Sequence, residues 1–127
     1  MNILVCISNV PDTTSKIEFD NDSSKFKTEG IQFIINPYDE FGLTKAIKLR
    51  DENGGKVTVI HIGKSSSDPT LRKTLAIGAD EVIRIDSEAL DSFSVAKELA
   101  KVISEQKFDL IITGRESIDY NSGAVPW

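Results

Sequence analysis

The residues best suited to chemistry lie near the end of this 127-residue chain, in FDLIITGRESIDYNSGAVPW, residues 108–127. An apolar run, Phe108 to Thr113, leaves through Gly114 into a polar loop carrying Arg115, Glu116, Asp119, Asn121 and Ser122. Open α/β sheets bind ligands beyond the carboxyl ends of their strands, where this loop would lie. Ser122 and Gly123 offer a hydroxyl and unhindered backbone N–H groups, the chemistry that holds a phosphate at the start of a helix. The sequence stops four residues after Gly123, where such a helix should begin.

Other candidates point to little chemistry. Cys6 sits inside the apolar run NILVCIS and reads as a small buried hydrophobe, since a reactive thiol needs polar, cationic surroundings. His61 falls near the end of a strand, with no acid or nucleophile spaced to make it a base, so a structural or solvated role is expected. One cysteine and one histidine, far apart, are too few for zinc, and no metal is expected. Gly63-Lys64-Ser65 has the form of the tail of a Walker A loop, but Thr58 stands where that motif needs its first glycine. After the first strand, SNVPDT replaces a G-x-G-x-x-G fingerprint, so a pyrophosphate held in that manner is not expected. With no activated nucleophile or acid–base pair, no catalytic residue is expected and the chain reads as a non-enzyme.

Composition narrows the partners. A net charge of −5 argues against nucleic acid or an anionic membrane as the main partner. No run approaches the length of a membrane-spanning helix. The opening MNILVCISNV lacks a basic leader and reads as a strand, and the single cysteine suits a reducing compartment. A cytoplasmic location is therefore expected.

The elements that must position the loop follow from periodicity. Asn2 to Ser8 is a continuous apolar run, a strand buried on both faces. Asn9 to Ser15 reads as a loop. Lys16 to Asp20 and Lys25 to Phe33 alternate around the turn formers Asn21 to Ser24, which predicts an inserted β-hairpin. Asn36-Pro37-Tyr38-Asp39 starts a helix with a capping residue, a proline and acids at its positive end. Asn36 reads either as a simple cap or as a ligand contact beside free N–H groups. Tyr38, Phe41, Gly42, Ala46 and Leu49 recur at helical spacing, and Gly54-Gly55 ends the helix. Lys56 to Ile62 is the second core strand. Asp68-Pro69 starts a second helix, to Ile77, with Leu71 and Leu75 on its apolar side. Glu81 to Ile85 is the third strand. Asp91 or Ser92 can cap a third helix lined by Val95, Ala96, Leu99, Val102 and Ile103, and Lys107 leads into the fourth strand. The alternation predicts an α/β fold: a parallel sheet with right-handed crossovers, helices on both faces and an inserted hairpin. In the order 3-2-1-4, the crevice falls between the first and fourth core strands.

The stretches NILVCISNVPD, INPYDEFGLTKAIKLR, TLRKTLAIGADEVIRI and DLIITGRESIDYNSG stand in an order and spacing that, taken together over essentially the whole chain, resemble the N-terminal half of the electron transfer flavoprotein β subunit. The resemblance implies a Rossmann-like domain of the adenine nucleotide α-hydrolase type, here truncated after the fourth core strand. It also implies binding of AMP without hydrolysis. The complete αβ heterodimer would hold FAD, largely on the α subunit, and pass electrons from dehydrogenases to a quinone reductase. Members that bifurcate electrons carry a second FAD in place of AMP. Carried over by position, Cys6 and Ser8 would end the first strand at the nucleotide. Asn36, Pro37, Tyr38 and Asp39 would contribute from the first helix, and Ile62 from the second strand. Gly114 and the loop Ser117, Ile118, Asp119, Tyr120, Asn121, Ser122, Gly123, Ala124 and Val125 would complete the pocket. Cys6 would let adenine approach and Ile62 pack on its ring. The Ser122 to Val125 backbone would face the phosphate and Asp119 a ribose hydroxyl.

Three departures stand out. Tyr120-Asn121 replace residues that are acidic in many relatives, and Trp127 stands where a small residue, usually glycine, is expected. The family's second half, with its partner-recognition loop and the arm around the α subunit, is absent from this sequence. Without the next helix the phosphate loop would lose dipole and fixed geometry. Residues Phe108 to Thr113 would form an uncovered edge that promotes self-association. An alternative is a free-standing adenine-nucleotide sensor of the universal stress protein type, although Gly114-Arg115 does not meet the late Gly-Ser or Gly-Thr of that family's phosphate signature. A PP-loop enzyme would need a Ser-Gly-Gly-x-Asp-like loop after the first strand.

Overall fold

β1 (Asn2–Cys6) is enclosed on both faces: Ile3, Leu4 and Val5 are fully buried. In the computed structural model, which describes residues 1–12, 32–88, 91–119 and 123–126, β1 lies between β4 (Lys56–Gly63) and β6 (Leu110–Ile112), both parallel to it. Leu4 stands opposite Thr58 on one side and Ile111 on the other. β5 (Glu81–Asp86) extends the sheet beyond β4, giving the order β5-β4-β1-β6. This is the 3-2-1-4 arrangement of core strands expected from the alternation. The nearly unbroken burial along β1 and β4, which in β4 includes the polar Thr58 and His61, follows from having helices above and below.

The four strands are parallel, and three helices cover their two faces. α1 (Pro37–Asn53) and α2 (Asp68–Ile77) share a core with Ile3, Val5, Ile7, Val57 and Val59. α3 (Ser92–Glu105) packs through Leu99 on Leu4, Ile60 and Ile62 of the opposite face. Asp91 caps α3, its Oδ1 accepting from the Ser94 N–H at 2.7 Å. Of the expected stripe, Val95, Leu99, Val102 and Ile103 pack inward, and Ala96 is not part of that cluster.

Several expectations are corrected. Residues 9–11 are not loop but β2 (Asn9–Pro11), antiparallel to β3 (Phe33–Ile35), with Val10 opposite Ile34. A two-stranded ribbon has an outer side on which proline's missing N–H costs no ladder bond, so Pro11 fits. The core stripe of α1 is Asp39, Leu43 and Ala46, while Phe41 is 72% exposed. Of the expected stripe, Ala46 is buried and Leu49 packs against the core, but Phe41 faces solvent and the polar Asp39 with Leu43 lies on the buried side instead. On α2, Leu71 is buried with Thr70 and Thr74, and Leu75 points largely to solvent. The buried Thr74 hydroxyl is satisfied locally, donating to Leu71 O at 2.6 Å. β1 and β6 are shorter than the apolar runs that announced them; Ile7 and Phe108 still pack in the core beyond the strand ends. The hairpin segments at 16–20 and 25–31, together with Tyr120, Asn121, Ser122 and Trp127, lie outside the described residues. Among the described residues, no helix is long and apolar enough to cross a membrane.

Candidate functional site

The carboxyl ends of β1, β4 and β6 open into a cleft of about 940 Å³. Cys6, Ile7 and Ser8 form its floor where β1 stops. Ile62, Val95, Leu99 and Val125 give it one apolar wall, continuous with the core under α3. Asn9, Ser66, Ser67, Ser117 and Asp119 contribute polar groups around it.

Two buried side chains at the start of α1 hold one side of the cleft together. The Asp39 carboxylate accepts from the Ser8 N–H at 2.8 Å through one oxygen, and from the Gly114 N–H at 3.0 Å through the other. Asn36 lies within the same array: its N–H donates to Ser8 O at 2.9 Å. Its side-chain amide donates to Glu116 O at 2.8 Å and accepts from the Ile118 N–H at 3.0 Å. Asn36 therefore makes no side-chain cap for α1, a correction of one of its two expected roles. A side-chain amide carries both donor and acceptor, so it pairs with the backbone of a loop as a strand would. Asn36 and Asp39 join three segments, the end of β1, the start of α1 and the loop after β6. Gly114 is required by this approach, because a Cβ there would collide with the Asp39 carboxylate and sit 2.8 Å from the Asp39 backbone nitrogen. Burial pushes the Asp39 carboxyl above its ordinary range, opposed mainly by the Ser8 N–H and by the bonds from Asn36 and Gly114.

The other side of the cleft is braced by His61. Its Nδ1 lies 2.9 Å from Ile7 O, and a carbonyl only accepts, so Nδ1 carries the proton. Nε2 of the neutral ring then accepts from the Ser67 hydroxyl at 3.0 Å. Three residues further on, Thr70 donates to the Asn9 side-chain oxygen at 2.8 Å. Burial, with Arg84 nearby, lowers the His61 pKa, and the bond to Ile7 opposes the shift. His61 is thus structural, as its isolation in the sequence suggested. Cys6 is inert for a related reason: burial, then the charge of Asp39, pushes its thiol up to about 12.

Of the residues singled out in the sequence, Cys6, Ser8, Asn36, Asp39, Ile62, Gly114, Ser117, Asp119 and Val125 line the cleft together. Pro37, Tyr38, Ile118, Gly123 and Ala124 do not line it. Pro37 opens α1, and the Tyr38 ring lies 5.8 Å from the Arg115 guanidinium. Ile118 contributes its N–H to Asn36, and Gly123 backs onto Arg115 O, 3.1 Å from where a Cβ would stand. Sequence reasoning missed Asn9, Ser67 and Thr70. The polar pair Ser67 and Thr70, one turn apart beside Leu71, was the available signal. Among the described lining residues, Lys64 is the cation, against the acids Asp39, Glu88, Asp91, Glu116 and Asp119. Among the described residues, then, an anionic group in this cleft would meet N–H donors rather than a basic cluster.

Comparison with known proteins gives this geometry a family. The electron transfer flavoprotein domain matches residues 24–126. The electron transfer flavoprotein subunit beta of Thermoanaerobacterium thermosaccharolyticum is 40% identical over 98% of this chain and 49% of its own length. The subunit of the same name from Bacillus subtilis is 35% identical over 98% of the chain and 49% of its own length. Protein FixA of Azotobacter vinelandii is 33% identical, over 98% and 47% respectively. The chain thus spans about half the length of the curated relatives it matches. With the domain match covering most of its residues, the chain belongs to the electron transfer flavoprotein family, as a homologue of its β subunits.

Proposed function

We propose that residues 1–127 form the AMP-binding, non-catalytic part of an electron transfer flavoprotein β subunit. The observation that carries this reading is the Asn36–Asp39 array, which fixes the loop after β6 over the end of β1. Next to it lies an apolar wall of Ile62, Leu99 and Val125 of a kind that suits a purine ring. In this reading adenine packs on Ile62 beside the small Cys6, and Asp119 accepts from a ribose hydroxyl. The backbone at Val125 would face the phosphate, and Ser122 lies outside the described residues. Ser8, Ser117 and Asn36, just before α1, border the nucleotide. AMP is held and not cleaved. FAD would be bound largely by the α subunit of the heterodimer and supply the redox chemistry, carrying electrons from dehydrogenases to a quinone reductase. The contribution of this chain is to bind, orient and exclude water. The family match favours this over a free-standing stress-protein-type sensor.

The test is to purify the chain, heat-denature it and identify nucleotides in the supernatant by mass spectrometry. AMP should then be titrated into nucleotide-free protein, with and without an α subunit. Stoichiometric AMP supports the reading. A chain that carries no nucleotide and shows no heat of AMP binding, even with the α subunit present, overturns it. Co-purified FAD would assign the cleft to a second flavin instead. Among the described residues β6 is an edge strand with Ile111 42% exposed, and this edge is expected to drive self-association of the isolated chain. A monomer by light scattering at high concentration would contradict that part.

A further inference from the structure

His61 stands apart from the residues assigned to the nucleotide above, yet it lines the same cleft. Its ring bridges two segments that nothing in the local sequence connects. Ile7 continues the floor strand, and Ser67 ends the turn that launches α2. The bridge is buried throughout, with His61 at 8% exposure and Ser67 at 6%. Thr70 adds a parallel tie from α2 to Asn9, so the 7–9 segment is held from α2 at two points. Gly63 lies close above the ring, where a Cβ would come 2.6 Å from Nε2. Any side chain at position 63 would therefore press on the ring.

We infer that His61 is a positioning residue that holds the α2 side of this cleft and makes its occupancy depend on pH. The inference rests on the reading that the cleft takes AMP. The donor pattern supplies the reason. Nδ1–H is committed to Ile7 O, so Nε2 accepts from Ser67 only while the ring is neutral. A proton on Nε2 turns the acceptor into a donor. The Ser67 hydroxyl must then turn its hydrogen away and find a new acceptor in a buried place, or the bridge opens.

The one charge shown to act on the ring, that of Arg84, does not favour the imidazolium, and the acids Asp39, Glu88, Asp91, Glu116 and Asp119 stand around the same cleft. Arg84 faces His61 across the β4–β5 pairing, and its charge is the one that acts on the ring. Arg84 is held by Asp68 of α2 at 2.8 Å and Asp86 at 3.3 Å, and Asp86 also meets Lys64 at 3.5 Å. On β1 the titratable neighbour is the protonated Cys6, and on α1 it is Asp39, whose oxygens are bonded to Ser8 and Gly114. A folded-state pKa below the unfolded value of about 6.5 means stability that is full above that pH. It is lost as pH falls through the folded value.

His61 is the only histidine in the sequence, so nuclear magnetic resonance of the imidazole in the intact chain reads its tautomer and titration without ambiguity. Amide exchange at Ile7 and Ser67, which donate to Ile60 O and Lys64 O, reports whether the bridge opens. AMP affinity is measured by calorimetry between about pH 5 and 8 for the wild type and for His61→Asn. The nucleotide's own phosphate titrates near pH 6 (roughly), so the quantity of interest is the ratio of the two affinities. The expected result is the Nδ1–H tautomer, a midpoint below that of a free imidazole, and faster exchange through the same transition. The affinity ratio should fall about tenfold per pH unit below the midpoint, as the competent fraction falls. A ring that titrates like a free imidazole, or a flat ratio across its transition, overturns the inference. If AMP binds at no pH, the proposed function fails separately. The positioning role is then decided by exchange alone: acceleration coincident with His61 protonation supports it, and unchanged exchange overturns it.

Discussion

The two ends of the sheet use polar residues in opposite ways. At the amino ends of the strands, charges meet near water. Arg50 reaches Gly78 O at 2.6 Å and Asp80 at 2.9 Å, Asp80 also accepts from the Val57 N–H, and Lys56 pairs with Glu81 at 3.0 Å. At the carboxyl ends, apart from the ion pairs of Arg84 and Lys64 with Asp68 and Asp86, the polar side chains that brace the cleft are buried and bond mainly to backbone: Asn36 is 1% exposed, Asp39 5%, His61 8%. Exposed ion pairs are each worth little and tolerate exchange. A buried acceptor that satisfies two N–H groups is costly to remove, because its partners are left orphaned away from water. The first arrangement closes an end. The second keeps a cleft open while fixing the segments around it.

Removing the Asp39 carboxylate should show the contrast most strongly. Asp39→Ala strands the Ser8 and Gly114 N–H groups and is expected to cost about 2–5 kcal/mol, measured by urea denaturation, with loss of AMP binding. A loss below about 1 kcal/mol would show that the array is not what holds the loop. Next comes Gly114→Ala, whose methyl would press on Asp39 and the backbone of α1. About 1–3 kcal/mol is expected, again with weaker AMP binding.

At the other end, Arg50→Ala breaks an ion pair whose partner Asp80 is 40% exposed. About 1 kcal/mol or less is expected, with AMP affinity unchanged by calorimetry. A marked change in affinity would mean that the two ends are coupled through α1. The smallest effect belongs to Phe41→Ser, since Phe41 is 72% exposed. Stability should stay within about 0.5 kcal/mol, and a larger loss would show that this ring is covered in solution.

Much of the architecture was legible because it is local. Alternating apolar runs and capped helices gave the strand and helix order, and its continuous apolar run marked β1 as buried on both faces. The Asp91 cap and the stripe of α3 were readable for the same reason. Where a face was polar, the reading slipped. Asp39 sits in the middle of the buried side of α1, Thr70 and Thr74 in that of α2, and apolar spacing pointed to Phe41 and Leu75 instead.

The sequence by itself determined the order of elements, the strand–helix alternation that makes the sheet parallel, and the gathering of polar residues after β6. These follow from periodicity and capping, which act over a few residues. Only the tertiary structure decided what Asn36, Asp39 and His61 do. Asn36 meets Ile118 across 82 positions, Asp39 meets Gly114 across 75, and His61 meets Ile7 across 54. A buried polar group takes whichever partner the packed sheet brings within about 3 Å, and no local spacing specifies that partner.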